Sequence, residues 1–199
     1  MRNLNEHLKD AIACSDFEFL EKNRHLYDIN HRFPDEGNDT LLLYSISDGG
    51  SDSYIFFLRN GADISLVNDE GEGIIHSVVY SGLVERLKSI MYTPFNAIQF
   101  INMQRKDGAT PLLLSILLEK EDMSNCLIEL GADINLPDET GNAPIHPACF
   151  QGQKEVVVRL VESGADLRVK TAYGNYPLAL AVNGNHDEIV RYIFEKIYK

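Results

Sequence analysis

His146 and Cys149 stand three residues apart, a spacing that sets two metal-binding side chains on one face of a helix. A closed site needs further ligands, and the three cysteines (Cys14, Cys126 and Cys149) are odd in number and lack metal-type spacing. The carboxylates come in groups: Asp69, Glu70 and Glu72, then Asp107, then Asp138 and Glu139. Paired carboxylates could act as general acid and base, provided burial shifts one pKa away from the other. No Gly-rich phosphate loop, Ser-His-Asp order or Cys-His nucleophile pattern accompanies them. Gly49-Gly50 reads as a permissive turn between helices.

The elements that position these residues follow from a repeat. Gly108, Gly141 and Gly174 fall 33 residues apart, and each opens the same local pattern. Thr110-Pro111-Leu112 follows the first, Pro144-Ile145-His146 the second and Pro177-Leu178 the third. Gly131-Ala132-Asp133 recurs as Gly164-Ala165-Asp166 and appears earlier as Gly61-Ala62-Asp63. A Thr-Pro pair starts a helix, because the hydroxyl takes an orphan amide and proline at the first position has no amide to lose. Glycine after a helix supplies the positive φ that turns the chain. In this register the acidic groups all fall on exposed hairpin tips. There they lack the desolvation that tunes a catalytic carboxyl and form a charged ridge of Glu70, Glu72, Asp107 and Glu139.

A period of 33 built on T-P-L-H and G-A-D resembles the ankyrin repeat, a β-turn plus two helices per unit. The resemblance implies an all-α ankyrin-repeat solenoid of about six helix-turn-helix units with β-hairpin-like tips, forming one domain over 1–199. Its parts are an N-terminal cap at 1–33, repeats at 34–67, 68–104, 105–137 and 138–170, and a C-terminal cap at 171–199. In the first unit Leu4, Leu8, Ala11 and Ile12 mark one helix and Phe17, Phe19 and Leu20 a second. Helices are also expected at 41–46, 54–58 and 189–197. Two departures qualify the pattern. Pro147 lies inside the first helix of the fifth unit, and 91–100, broken by Pro94, lengthens the third. The segment is either a neutral length variant or a functional loop on a rigid scaffold. By the same resemblance His76, His146 and His186 are structural, bonding backbone between neighbouring hairpins.

With 18 basic and 30 acidic residues the net charge is −12, which argues against nucleic acid and for a basic protein partner. No stretch approaches 18 consecutive apolar residues, so no membrane span is expected. Reduced cysteines point to the cytoplasm, and secretion after removal of a leader stays open. No cofactor, no metal and no enzymatic activity are expected, and the free chain is expected to be a monomer.

The resemblance implies a concave groove lined by the C-terminal ends of the first helices. Down that column stand Ser47 and Asp48, Tyr80 and Ser81, Leu117 and Leu118, Phe150 and Gln151, then Asn183 and Gly184. The run 111–118 carries more apolar surface than one helix buries in its own stack. Tyr80, Leu117, Leu118 and Phe150 would then form an apolar centre within a polar rim, the anatomy of a protein interface. The contrary reading has Leu117 and Leu118 packed beneath neighbouring loops, with Tyr80 and Phe150 sealing the groove floor. The implied role is non-catalytic capture of a protein, whether to mask it or to act as a passive scaffold or adaptor. An enzyme with a site near 91–100 is the rival from another class.

Overall fold

A computed structural model of the 199-residue chain describes residues 3–47, 52–92 and 96–198. Asp48, the Gly49-Gly50 turn and Pro94 lie outside the described residues. The chain divides into two compact units, 1–100 and 101–199.

The first unit holds α1 (Leu4–Ala13), α2 (Phe17–Lys22), α3 (Leu41–Ser47), α4 (Ser53–Arg59), α5 (Ile74–Ser81) and α6 (Val84–Met91). Asn3 starts α1 with a reciprocal box: its side chain accepts from the Glu6 amide at 2.9 Å, while Glu6 accepts from the Asn3 amide at 3.2 Å. Leu8 and Ile12, on one face of α1, are fully buried with Leu20 of α2. A short antiparallel pair, β1 (Arg32–Phe33) and β2 (Asp39–Thr40), joins Arg32 to Thr40 and Phe33 to Asp39. Thr40 then starts α3 by accepting from the Leu43 amide at 3.2 Å, even though leucine follows it where proline is usual. Within the extra length after α6, Ala97–Phe100 form one 3-10 turn in which Ala97 is fully buried.

The second unit holds α7 (Pro111–Leu117), α8 (Glu121–Glu129), α9 (Ile145–Gln151), α10 (Lys154–Glu162), α11 (Pro177–Asn183) and α12 (Asp187–Tyr198). First helices pack in the series α7, α9, α11, and second helices in the series α8, α10, α12. Thr110 accepts from the Leu113 amide at 3.1 Å. Pro147 sits in the first turn of α9, where amides have no partner within the helix, so it costs no helical hydrogen bond. Successive hairpins are stapled through backbone, the Glu139 amide to the Asp107 carbonyl at 3.0 Å and the Ala172 amide to the Thr140 carbonyl at 2.9 Å. An asparagine ladder runs beside them: the amides of Asp133 and Asp166 donate to the side-chain oxygens of Asn102 and Asn135 at 2.8 and 2.9 Å. The first unit repeats the device with Asp63 and Asn30 at 2.9 Å. Each helical hairpin thus hides its apolar face only against its neighbour.

Candidate functional site

In α7 every residue from Pro111 to Ile116 is buried. The expected apolar surplus of this run is therefore confined to its last two residues, Leu117 and Leu118, 43 % and 41 % exposed. The helix stops there because Glu119 takes a left-handed conformation, φ 55°. Two glutamines of the next hairpin hold this end in place. Gln151 donates to the Leu117 carbonyl at 3.2 Å and Gln153 to the Ile116 carbonyl at 2.8 Å, the latter shared with the Glu119 amide at 2.9 Å, so both bond carbonyls of the helix terminus. Phe150, near the end of α9, is 55 % exposed. Its own carbonyl faces the His186 ring nitrogen at 3.0 Å. Leu117, Pro147, Phe150, Tyr173 and Leu180 line a cavity of about 490 Å³, with His146 and Asn142 in its wall. Tyr173, on the hairpin tip beside Phe150, is an aromatic contributor that the sequence column passes over, since it lies outside the first helices.

Tyr80, in the first unit, closes α5 and is 37 % exposed. Its hydroxyl donates to Glu72 at 2.5 Å. That contact corrects the reading of Glu72 as a ridge residue: Glu72 is buried, and its other carboxylate oxygen accepts from Asn68 at 3.0 Å. Glu72 orients Tyr80 and offers no free charge to a partner. Asn68 also donates to Asp39 at 2.9 Å, and burial holds the Asp39 carboxyl above its ordinary range despite that bond. Of the other ridge residues, Glu70 and Glu139 are exposed on their tips. Asp107 is exposed as well, but Arg105 grips both its oxygens at 2.8 and 2.6 Å, which lowers its pKa and cancels most of its outward charge. The ridge thus reduces to Glu70 in one unit and Glu139 in the other.

His146 and Cys149 are both fully buried. Ring nitrogen Nδ1 of His146 accepts from the Ala143 amide at 3.0 Å, so Nε2 carries the proton and donates to the Val169 carbonyl at 3.3 Å. Burial pushes the Cys149 thiol up to about 12, far from the thiolate that binds metal. Both ring nitrogens being occupied, the pair is structural. His76 repeats the first contact, Nδ1 accepting from the Gly73 amide at 3.3 Å. Among the described residues no cluster of three His, Cys, Asp or Glu side chains forms a metal-binding group.

Burial also lowers the His146 pKa below its ordinary 6.5, with the backbone bonds opposing part of the shift. The folded chain therefore binds this proton more weakly than the unfolded chain, and the His146 contribution is complete above the unfolded pKa. It is lost as pH falls below about 6.5. Thermal unfolding followed from pH 7.5 to 5.5 should show a falling midpoint, and His146→Gln should flatten that slope. An unchanged slope in the variant would assign the acid sensitivity elsewhere.

No helix among the described residues is long and apolar enough to cross a membrane. Residues 75–171 and 126–199 match the family described as ankyrin repeats (3 copies). The chain is 28 % identical over 109 residues to the phosphocholine transferase AnkX of Legionella pneumophila, covering 55 % of this chain and 12 % of that protein. It is 27 % identical over 86 residues to NF-kappa-B inhibitor alpha of Sus scrofa, covering 43 % of this chain and 27 % of that protein. It is 28 % identical over 97 residues to the nuclear factor NF-kappa-B p105 subunit of Rattus norvegicus, covering 47 % and 10 %. The aligned regions are thus a small part of each relative. Ankyrin repeats are protein–protein interaction modules, and with the family match spanning more than half of its length this chain belongs to the ankyrin-repeat family.

Proposed function

We propose that the chain captures a partner protein on the apolar surface of its second unit, with Leu117, Leu118 and Phe150 as anchors and Tyr173 beside them. The observation that carries this reading is exposure: three large apolar side chains stand at the ends of α7 and α9, whose other apolar residues are buried except the half-buried Pro147. Apolar anchors within a polar surround are how protein interfaces concentrate their binding energy. The glutamine bonds to the Leu117 and Ile116 carbonyls hold the anchors before a partner arrives, which reduces the ordering cost of binding. Tyr80, oriented by Glu72, is a further contact in the first unit. Glu70 and Glu139, in a chain of net charge −12, favour a partner whose surface is basic.

Capture by this surface acts through occupancy, and masking of the partner is the mode we favour. The similarity to NF-kappa-B inhibitor alpha, an inhibitor by name, supports that preference. The test is a comparison of wild type with Leu117→Glu/Phe150→Glu in affinity capture from the cells that make the protein. The double variant should lose one specific partner, with affinity reduced on the order of a hundredfold, while its unfolding profile stays close to wild type. Equal capture of every associated protein by the folded double variant would overturn the proposal.

A further inference from the structure

The cavity bounded by α7, α9 and α11 has a chemistry narrower than that of an apolar patch. It lies within the second unit, between three successive hairpins. Leu117, Pro147, Phe150, Tyr173 and Leu180 supply apolar walls around about 490 Å³. Among the described residues no Asp, Glu, Lys or Arg side chain lines it. His146, the one basic side chain in the wall, is neutral, since its Nδ1 accepts from the Ala143 amide and burial lowers its pKa. The two aromatic rings are unused inside the chain: among the described residues no ring or cation stacks on Phe150 or Tyr173.

The hydrogen bonds of the wall leave an acceptor without a donor. The Asn142 amide nitrogen donates to an Asp138 oxygen at 3.2 Å and to the Thr140 hydroxyl, which itself donates to Asp138 at 2.7 Å. These bonds fix which way the amide is turned. Its oxygen receives no hydrogen bond from the described residues. His146 brings no spare donor, because its Nε2 proton goes to the Val169 carbonyl. Apart from the hydroxyl of the exposed Tyr173, the side chains of the wall thus offer an acceptor and no free donor. The matching guest is an uncharged aromatic group that donates one hydrogen bond and needs none in return.

Few groups meet that description. The indole N–H of tryptophan only donates, whereas a tyrosine hydroxyl also brings lone pairs and phenylalanine brings no donor. Leucine and valine lack the flat face that Phe150 and Tyr173 can pack against. An ammonium or guanidinium would lose its water to a wall without a carboxylate. A nucleotide base suits the rings, but its phosphates would find no lysine or arginine there. We infer that this cavity receives a tryptophan side chain of the partner protein, a reading that rests on the partner surface proposed above. Tryptophan is also among the residues in which interfaces concentrate their binding energy.

The chain contains no tryptophan, so indole emission reports the guest alone. The probe is N-acetyltryptophanamide, titrated with the purified full chain and read by the blue shift of its emission. Saturation is expected on the order of millimolar, the range open to one isolated side chain. The analogue methylated at the indole nitrogen should bind about tenfold more weakly, because the Asn142 oxygen then loses water and gains no bond. N-acetylphenylalaninamide should compete equally poorly. Phe150→Ala, at an exposed position, should weaken the probe by about tenfold with circular dichroism unchanged. No emission shift at several millimolar of folded chain would overturn the inference, and so would equal affinity for the methylated probe. A wild type that binds no probe, while Leu117→Glu/Phe150→Glu still loses its partner, strikes the tryptophan and leaves the surface standing. Probe binding with capture unaffected in that variant supports the indole site and strikes the surface.

Discussion

Gly108→Ala is expected to lower the unfolding free energy of the second unit by about 3 kcal/mol, against about 1 kcal/mol for Gly131→Ala. Both glycines have left-handed backbone, φ 82° and 87°. A Cβ at Gly131 meets nothing within 4 Å, so alanine there feels only the strain of that backbone region. At Gly108 the same atom would stand 2.7 Å from the Glu139 backbone nitrogen and 3.0 Å from the Asp138 carbonyl carbon. Backbone cannot swing aside as a side chain can, so the hairpins must part and the bond from the Glu139 amide to the Asp107 carbonyl must lengthen or break. Urea unfolding followed by circular dichroism measures both costs, and equal losses for the two variants would show that the hairpins yield without penalty.

Arg86→Ala should cost the first unit about 3 kcal/mol, with Arg86→Lys recovering part of it. Arg86 projects from α6, is almost wholly buried, and donates to the Ile46 carbonyl at 2.6 Å. That carbonyl lies in the last turn of α3, where a cation also complements the helix dipole. The guanidinium carbon stands 5.1 Å from the Tyr54 ring centroid as well. Truncation removes a charge-assisted bond, leaves a buried carbonyl without that donor, and opens space over the ring. Hydrogen exchange at the α3 and α6 amides should accelerate together in the alanine variant. Unchanged exchange in α3 would mean that the carbonyl finds water at little cost.

The helices were legible because their signals are local. Thr110-Pro111 and Gly131-Ala132-Asp133 act within one turn of the chain, and helices expected at 41–46, 54–58 and 189–197 occur as Leu41–Ser47, Ser53–Arg59 and Asp187–Tyr198. What could not be read depends on a second element. Glu70 and Glu72 look alike on the page, yet one is exposed and the other buried beneath Tyr80, eight residues on. Arg86 reads as an ordinary charge on an amphipathic helix, since its carbonyl partner lies 40 residues earlier. Leu117 and Leu118 stood out in an apolar run, but only packing showed that the six residues before them are covered.

The most direct measurement places a photo-crosslinking benzoylphenylalanine at Phe150, with a second chain carrying it at the exposed Glu162 of α10 as control. After irradiation in the cells that make the protein, the account predicts one specific polypeptide adduct from position 150, lost when Leu117→Glu is added, and none from position 162. An adduct at 162 with none at 150 would place the partner on another face and contradict it.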